Sequence, residues 1–144
     1  MRRYLLLCVL ALATTSHAIV TRHDRDEAQY RKLAEGYPMV CRIGQGMGTL
    51  VDSQWVLTAA HVADALPALK ATVCFGERTV GVNLIEIHPD YAVEGQHRDM
   101  ALLRLAEPIT DIDVAHLYRH NDELGMQVTF VGDGLTGNGE TGPV

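Results

Sequence analysis

The feature that most constrains this fold is a series of short apolar segments separated by turn-forming residues. The segments are Met39–Ile43, Thr49–Val51, Trp55–Thr58, Ala71–Phe75, Thr79–Ile87, Met100–Leu105 and Gln127–Val131. Turn residues follow several of them, as in Gly44-Gln45-Gly46 and Asp52-Ser53-Gln54. Short strands at modest spacing, with little helix between them, predict an all-β fold, either an antiparallel barrel or a sandwich.

One clear helical segment precedes the strands. It runs from Asp24 to Glu35, and Gly36 suits its end. Asp24 is expected to cap the helix, because Glu27 follows three residues later in a capping-box arrangement.

The N-terminus has the pattern of a secretory signal peptide. Met1-Arg2-Arg3 is basic, and Tyr4–Thr14 is apolar but too short to span a bilayer. Ser16-His17-Ala18 places small residues at positions −3 and −1 of a signal peptidase cleavage site. We therefore expect residues 1–18 to be removed and the product to be exported, either secreted or periplasmic. No second apolar stretch is long enough for a membrane span, so a soluble product is expected.

Two cysteines remain after that cleavage, Cys41 and Cys74. Export permits a disulfide. Neither cysteine has a C-x-x-C neighbour, which argues against a zinc site. Both lie in strand-like segments, and the expected role is that of a small buried apolar residue.

The charge balance excludes nucleic acid as a partner. The chain has 12 Lys and Arg against 18 Asp and Glu, a net charge of −6. It has no basic cluster in the predicted mature part larger than Arg31-Lys32, whereas phosphate neutralisation needs a basic face. His116 and His120 have the spacing of a metal-binding pair on a helix, but no third ligand is evident. A solvated surface is expected there.

His61 and Asp99 are the candidate residues of a reactive site at one end of the predicted barrel. His61 follows the apolar strand Trp55–Thr58 and two alanines, so a short helical turn is expected to present its ring at the barrel mouth. Asp99 opens Met100–Leu105, an almost wholly apolar segment that predicts a central strand buried on both faces. A carboxylate at such a place is costly unless it is hydrogen-bonded, and an imidazole is the obvious partner. An Asp–His pair fixes the imidazole tautomer and stabilises the imidazolium.

Four motifs carry a resemblance to a known family. They are W-V-L-T-A-A-H at Trp55–His61, I-H-P-D-Y at Ile87–Tyr91, D-M-A-L-L at Asp99–Leu103 and L-A-E-P-I at Leu105–Ile109. In order and separation they resemble the chymotrypsin/trypsin-like serine endopeptidases. The resemblance implies that His61 is the general base and later the general acid, and that Asp99 is its orienting carboxylate. It also implies polypeptide substrates and no metal or organic cofactor.

The resemblance further implies a domain organisation. Residues 19–118 correspond to the first of two chymotrypsin-like antiparallel Greek-key barrels. Residues 119–144 correspond to the inter-barrel linker and the first strand of a truncated second barrel, because Val128–Gly134 resembles the family's V-x-G-W-G segment. The missing second barrel is an expected partner. It would carry the nucleophile, the oxyanion-hole amides and the specificity pocket.

The chain departs from the family pattern at a disulfide and at the nucleophile. Val62 stands where the family often has a Cys after the His, and Gly46-Met47 stand where its partner would lie. No G-D-S-G-G loop is present, and the only serines are Ser16, in the predicted signal peptide, and Ser53, in a turn. We therefore expect the N-terminal part of a secreted endopeptidase, inactive by itself. The alternatives are a non-enzymatic protease-like binding module and an inert fragment.

The resemblance also suggests how activation would occur. Family members use a newly freed N-terminal Ile, and cleavage after Ala18 would expose Ile19-Val20. These two residues match the family's I-V-G-G start, whereas Thr21-Arg22 do not. Ile19 is thus the candidate activation N-terminus, and export and activation are expected to be one event.

Overall fold

The computed structural model describes residues 25–67, 70–92 and 97–132. They contain α1 Glu27–Ala34, β1 Val40–Ile43, β2 Gly46–Asp52, β3 Trp55–Thr58, α2 Ala60–Asp64, β4 Thr72–Phe75, β5 Arg78–Ile87 and β6 Ala101–Leu105. The predicted signal peptide, Ile19, Asp24 and the glycine-rich residues 133–144 lie outside the described residues. Within the three described ranges, neither helix has the length and apolar character needed to cross a bilayer.

The six strands close into an antiparallel barrel in the order β1–β2–β3–β6–β5–β4. Short turns join β1, β2 and β3, and the chain then crosses through α2 so that β4 lies beside β1, where Arg42 pairs with Cys74. From β4 the chain continues through β5 to β6, which completes the circuit by pairing with β3. This order is a Greek key, so the predicted all-β antiparallel barrel is confirmed.

Alternate side chains of the strands fill the barrel interior. The buried cluster consists of Cys41, Ile43, Leu50, Val56, Ala63, Val73, Phe75, Val80, Ala101, Leu103, Leu105 and Ile109. The interior is tightest at Gly48, where an added Cβ would lie 2.5 Å from Ile43 Cδ1 and 2.7 Å from Val56 Cγ1. Because contacts that short do not occur in folded proteins, no larger residue fits at position 48 without moving its neighbours.

β6 is buried on one face only. Ala101, Leu103 and Leu105 point into the core, whereas Leu102 and Arg104 are exposed. The prediction that this segment is buried on both faces is therefore wrong. A strand in a single-layer barrel has one interior side and one exterior side, and successive side chains alternate between them.

α1 begins later than predicted. Its N-cap is Asp26, whose Oδ1 accepts a hydrogen bond of 3.0 Å from the backbone N–H of Ala28. The prediction of Asp24 as the cap is wrong, because the side chain of Asp26 accepts the N–H of Ala28 in the first turn. The Glu27–Arg31 pair, 2.8 Å apart, supports the helix on its exposed surface.

The segment Gln127–Val131 forms no strand. Val128 and Phe130 are largely exposed, although the apolar pattern predicts a strand here. The predicted strand is not formed: the resemblance assigns it to a second barrel, and it has no partner in the first. Each of the six barrel strands already has a neighbour on both sides, so the closed barrel offers no free edge to this segment.

The two cysteines are free thiols on neighbouring strands. Cys41 points into the core and Cys74 is half-buried on the other side of the barrel wall. Burial raises the pKa of the Cys41 thiol to about 12. The expectation of a small buried apolar residue therefore holds fully for Cys41 and only in part for Cys74.

Candidate active site

The pairing of two strands brings His61 and Asp99 to one end of the barrel. β3 and β6 run antiparallel with Thr58 opposite Ala101. His61 lies three residues after Thr58, and Asp99 lies two residues before Ala101. Since the strands are antiparallel, the residue that leaves one and the residue that enters the other emerge at the same edge.

Small side chains let α2 sit close to the barrel. Ala59 is extended, with φ −77° and ψ 146°, and the helix begins at Ala60. Ala60 and Ala63 are buried, which turns the intervening His61 outward. The side chain of His61 is 54% exposed and that of Asp99 is 21% exposed, so the carboxylate is the more shielded of the two.

Asp99 makes two hydrogen bonds to the same residue. Its Oδ2 lies 2.6 Å from Nδ1 of His61, and its Oδ1 accepts a 2.9 Å bond from the backbone N–H of His61. Both carboxylate oxygens are thereby fixed relative to the ring. An Nδ1–H that donates to Asp99 leaves Nε2 as the nitrogen able to accept a proton.

The same contacts lower the pKa of Asp99. The backbone N–H of His61 contributes most, the His61 side chain adds to the shift, and burial opposes it. Hydrogen bonds to a carboxylate favour its charged form, so Asp99 stays ionised beside the imidazole. An ionised carboxylate at this place stabilises an imidazolium at His61.

A left-handed residue precedes Asp99. Arg98 has φ 51°, and its carbonyl accepts a 2.7 Å bond from the backbone N–H of Met100, which closes a tight turn around Asp99. Nothing in the sequence indicates this conformation, because Gly or Asn usually marks it. The Arg98 side chain lies 3.4 Å from Asp90 Oδ2, so Asp90 faces a guanidinium and Asp99 faces the imidazole.

The remaining candidates lie elsewhere. Ser53 is in the turn before β3, at the opposite end of that strand from His61, and its hydroxyl lies 3.4 Å from Asp52 Oδ1. His116 and His120 lie in a stretch without helix, so their spacing does not place them on one helix face. Among the described residues no group of three or more His, Cys, Asp or Glu could hold a metal ion.

A family model describes most of this chain. The model of the trypsin family matches residues 28–143. The chain belongs to the trypsin family. The predicted resemblance is thereby confirmed, and the barrel with its His–Asp pair is part of a trypsin-like serine protease domain.

Two curated trypsin-family relatives from Mus musculus match part of the chain. Vitamin K-dependent protein C is 32% identical over 96 residues, which are 59% of this chain and 20% of that protein. Tryptase is 35% identical over 78 residues, which are 48% of this chain and 29% of that protein. The alignments therefore span less than a third of the length of these relatives.

A solved structure shares the fold of this trypsin-family chain. The VesB protease of Vibrio cholerae superimposes with a TM-score of 0.57 and 18% identity. The match covers 65% of this chain and 34% of that one. At this identity the match shows a shared fold.

Proposed function

We propose that this chain supplies the His–Asp half of the catalytic triad of an exported serine endopeptidase. His61 would take the proton of a Ser hydroxyl at Nε2 and return it to the leaving amine, while Asp99 holds the ring and stabilises the imidazolium. The observation that supports this most directly is the 2.6 Å contact between Asp99 Oδ2 and His61 Nδ1. The family implies polypeptide substrates and acyl transfer to water.

The proposal assigns the nucleophile to sequence outside these 144 residues. Of the two serines, Ser16 lies in the proposed signal peptide and Ser53 lies in the turn before β3. We assign residues 19–118 to the first barrel and residues 119–144 to the linker and the start of a second barrel. That second barrel would bring the Ser, the oxyanion hole and the specificity pocket.

A fluorophosphonate probe tests this division, because it reacts only with an activated Ser. The 144-residue chain should stay unlabelled, since loss of the nucleophile removes about 10⁶-fold in rate in a related triad. The full-length protein should be labelled stoichiometrically, and His61→Ala should abolish that labelling. Stoichiometric labelling of the 144-residue chain would contradict the proposal.

Export and activation form the second part of the proposal. Removal of residues 1–18 would expose Ile19, whose ammonium could pair with a carboxylate near the nucleophile and order the oxyanion hole. N-terminal sequencing of the active secreted protein should therefore begin at Ile19. A mature start elsewhere with full activity would refute this part, and so would full activity after one residue is added before Ile19.

The competing function is a protease-like binding module that keeps the His–Asp pair without catalysis. The scarcity of serine favours it, because neither Ser16 nor Ser53 is placed for acylation. The sequence encoded after Val144 distinguishes the two. A G-D-S-G-G segment there supports the endopeptidase, and a genuine stop supports the module or an inert fragment.

A further inference from the structure

Val62, the residue next to His61, packs against a glycine of β2. Val62 belongs to α2, and Gly46 opens β2. A Cβ added at Gly46 would lie 2.6 Å and 2.7 Å from the two γ carbons of Val62 and 3.2 Å from its Cβ. The side chain of Val62 therefore occupies the space that a side chain at position 46 would need.

The side chain of Val62 cannot rotate away from Gly46. Valine is branched at Cβ and has few accessible χ1 rotamers. Both γ carbons and the Cβ itself face Gly46, so rotation about χ1 cannot clear the space. An added Cβ at Gly46 therefore requires a backbone shift, either of α2, which carries His61, or of the start of β2.

α2 is short and is also held by its buried Ala60 and Ala63 and by the bond from the His61 N–H to Asp99. It contains five residues, and Ala59 makes no side-chain capping bond. It lies against β5 and β6, the side of the barrel from which Asp99 approaches. The contact between Val62 and Gly46 joins α2 to β2.

We propose that the packing of Val62 on Gly46 sets the position of α2 and thereby the distance between His61 Nδ1 and Asp99 Oδ2. Both are positioning residues, because they act through His61. Gly46 provides the space, and the branched side chain of Val62 fills it. The proposal rests on the geometry of the barrel and does not require that the chain be an enzyme.

The test measures the His61–Asp99 hydrogen bond itself. In ¹⁵N-histidine-labelled full chain, NMR detects the low-field Nδ1–H resonance of His61, assigned by its loss in His61→Ala. Gly46→Ala should remove this resonance while amide dispersion shows that the barrel is folded. Gly81→Ala is the matched control, because a Cβ at Gly81 meets only Ala106 Cβ, at an ordinary 3.6 Å. It should leave the resonance unchanged.

A second substitution tests whether the contact with Val62 causes the loss of the His61 resonance. In Gly46→Ala with Val62→Ala, the new methyl group takes the place of the removed ones, and the resonance should return. If Gly46→Ala alone fails to fold, the double variant still tests whether the packing of Val62 on position 46 positions α2. Failure of the double variant to restore the resonance would overturn the proposal, and so would an unchanged resonance in Gly46→Ala.

Discussion

β6 and the segment Leu124–Val131 are both rich in apolar residues, yet only one of them is a strand. β6 has β3 on one side and β5 on the other, and its alternate residues are fully buried in the barrel. The later segment has no ladder, and Leu124, Val128 and Phe130 are exposed. An apolar pattern therefore makes a strand only where a free edge exists to pair with it.

The difference extends to chemistry. Asp99 lies just before β6 and His61 just after β3, and the pairing of these two strands brings the two side chains into contact. The later segment instead presents a row of exposed apolar side chains at alternate positions: Leu124, Met126, Val128 and Phe130. Such a row is typical of a surface that another part of a protein covers, which fits the second barrel proposed above.

Loss of a large side chain should destabilise the barrel much more in β6 than in the later segment. Leu103→Ala in β6 should lower the free energy of unfolding by about 2–5 kcal/mol, because Leu103 is fully buried and its removal leaves a cavity. Phe130→Ala should change it by less than about 0.5 kcal/mol, because Phe130 is 86% exposed. Urea denaturation measures both. Equal losses would mean that the later segment is packed after all.

A smaller effect is expected for a buried hydroxyl in the barrel. Thr58 Oγ1 donates a 2.8 Å hydrogen bond to the carbonyl of Met47. Thr58→Val keeps the shape of the side chain and removes the hydroxyl donor of that bond. The free energy of unfolding should therefore fall by about 1–3 kcal/mol. The same change at the exposed Thr110 is the control. A stability equal to that of the control would show that the Thr58 bond contributes nothing.

The rates at which Cys41 and Cys74 are alkylated report which face of the barrel wall each side chain occupies. Cys74 should react in the folded chain, whereas Cys41 should react only as the barrel unfolds, because burial raises its thiol pKa to about 12. Peptide mapping by mass spectrometry distinguishes the two sites. A Cys41–Cys74 disulfide, or equal rates at both thiols, would contradict the placement of the two side chains on opposite faces.

The smallest expected effect is a shift in a titration. The pKa of Asp99 is lowered from 3.8 by its bonds to His61, so its carboxyl ¹³C signal should titrate below pH 3.8. Because the folded chain binds this proton less readily than the unfolded chain, the pair stabilises the fold above that pH. The contribution is lost as the pH falls through the lowered pKa. A midpoint at or above 3.8, with the signal assigned by Asp99→Asn, would contradict this.

The sequence predicts those parts of the molecule that depend on local pattern. β3 is found at the predicted residues, and β5 begins one residue earlier than predicted, because turn residues bound each apolar run. The hydrogen bond between Asp99 and His61 is also present as predicted. Motif order located that pair, since residues 38 positions apart carry no local signal of contact.

What the sequence does not predict depends on distant pairing. Nothing near β6 indicates that it lies between β3 and β5, and this order leaves Gln127–Val131 without a partner. The left-handed Arg98 and the close contact of Val62 with Gly46 likewise have no marker residue in the sequence. Such features are set by tertiary structure and have no pattern of their own.

The orienting role that we propose for Asp99 can be measured by comparing the catalytic rates of two variants. In the full-length protein, Asp99→Asn should lower kcat for a peptide substrate by about 10⁴-fold, as the equivalent change does in a serine-protease triad. Asp90→Asn is the matched control, because Asp90 faces Arg98, and it should stay within about threefold of the unmodified protein. A near-normal rate for Asp99→Asn, or a comparable collapse for Asp90→Asn, would contradict the account.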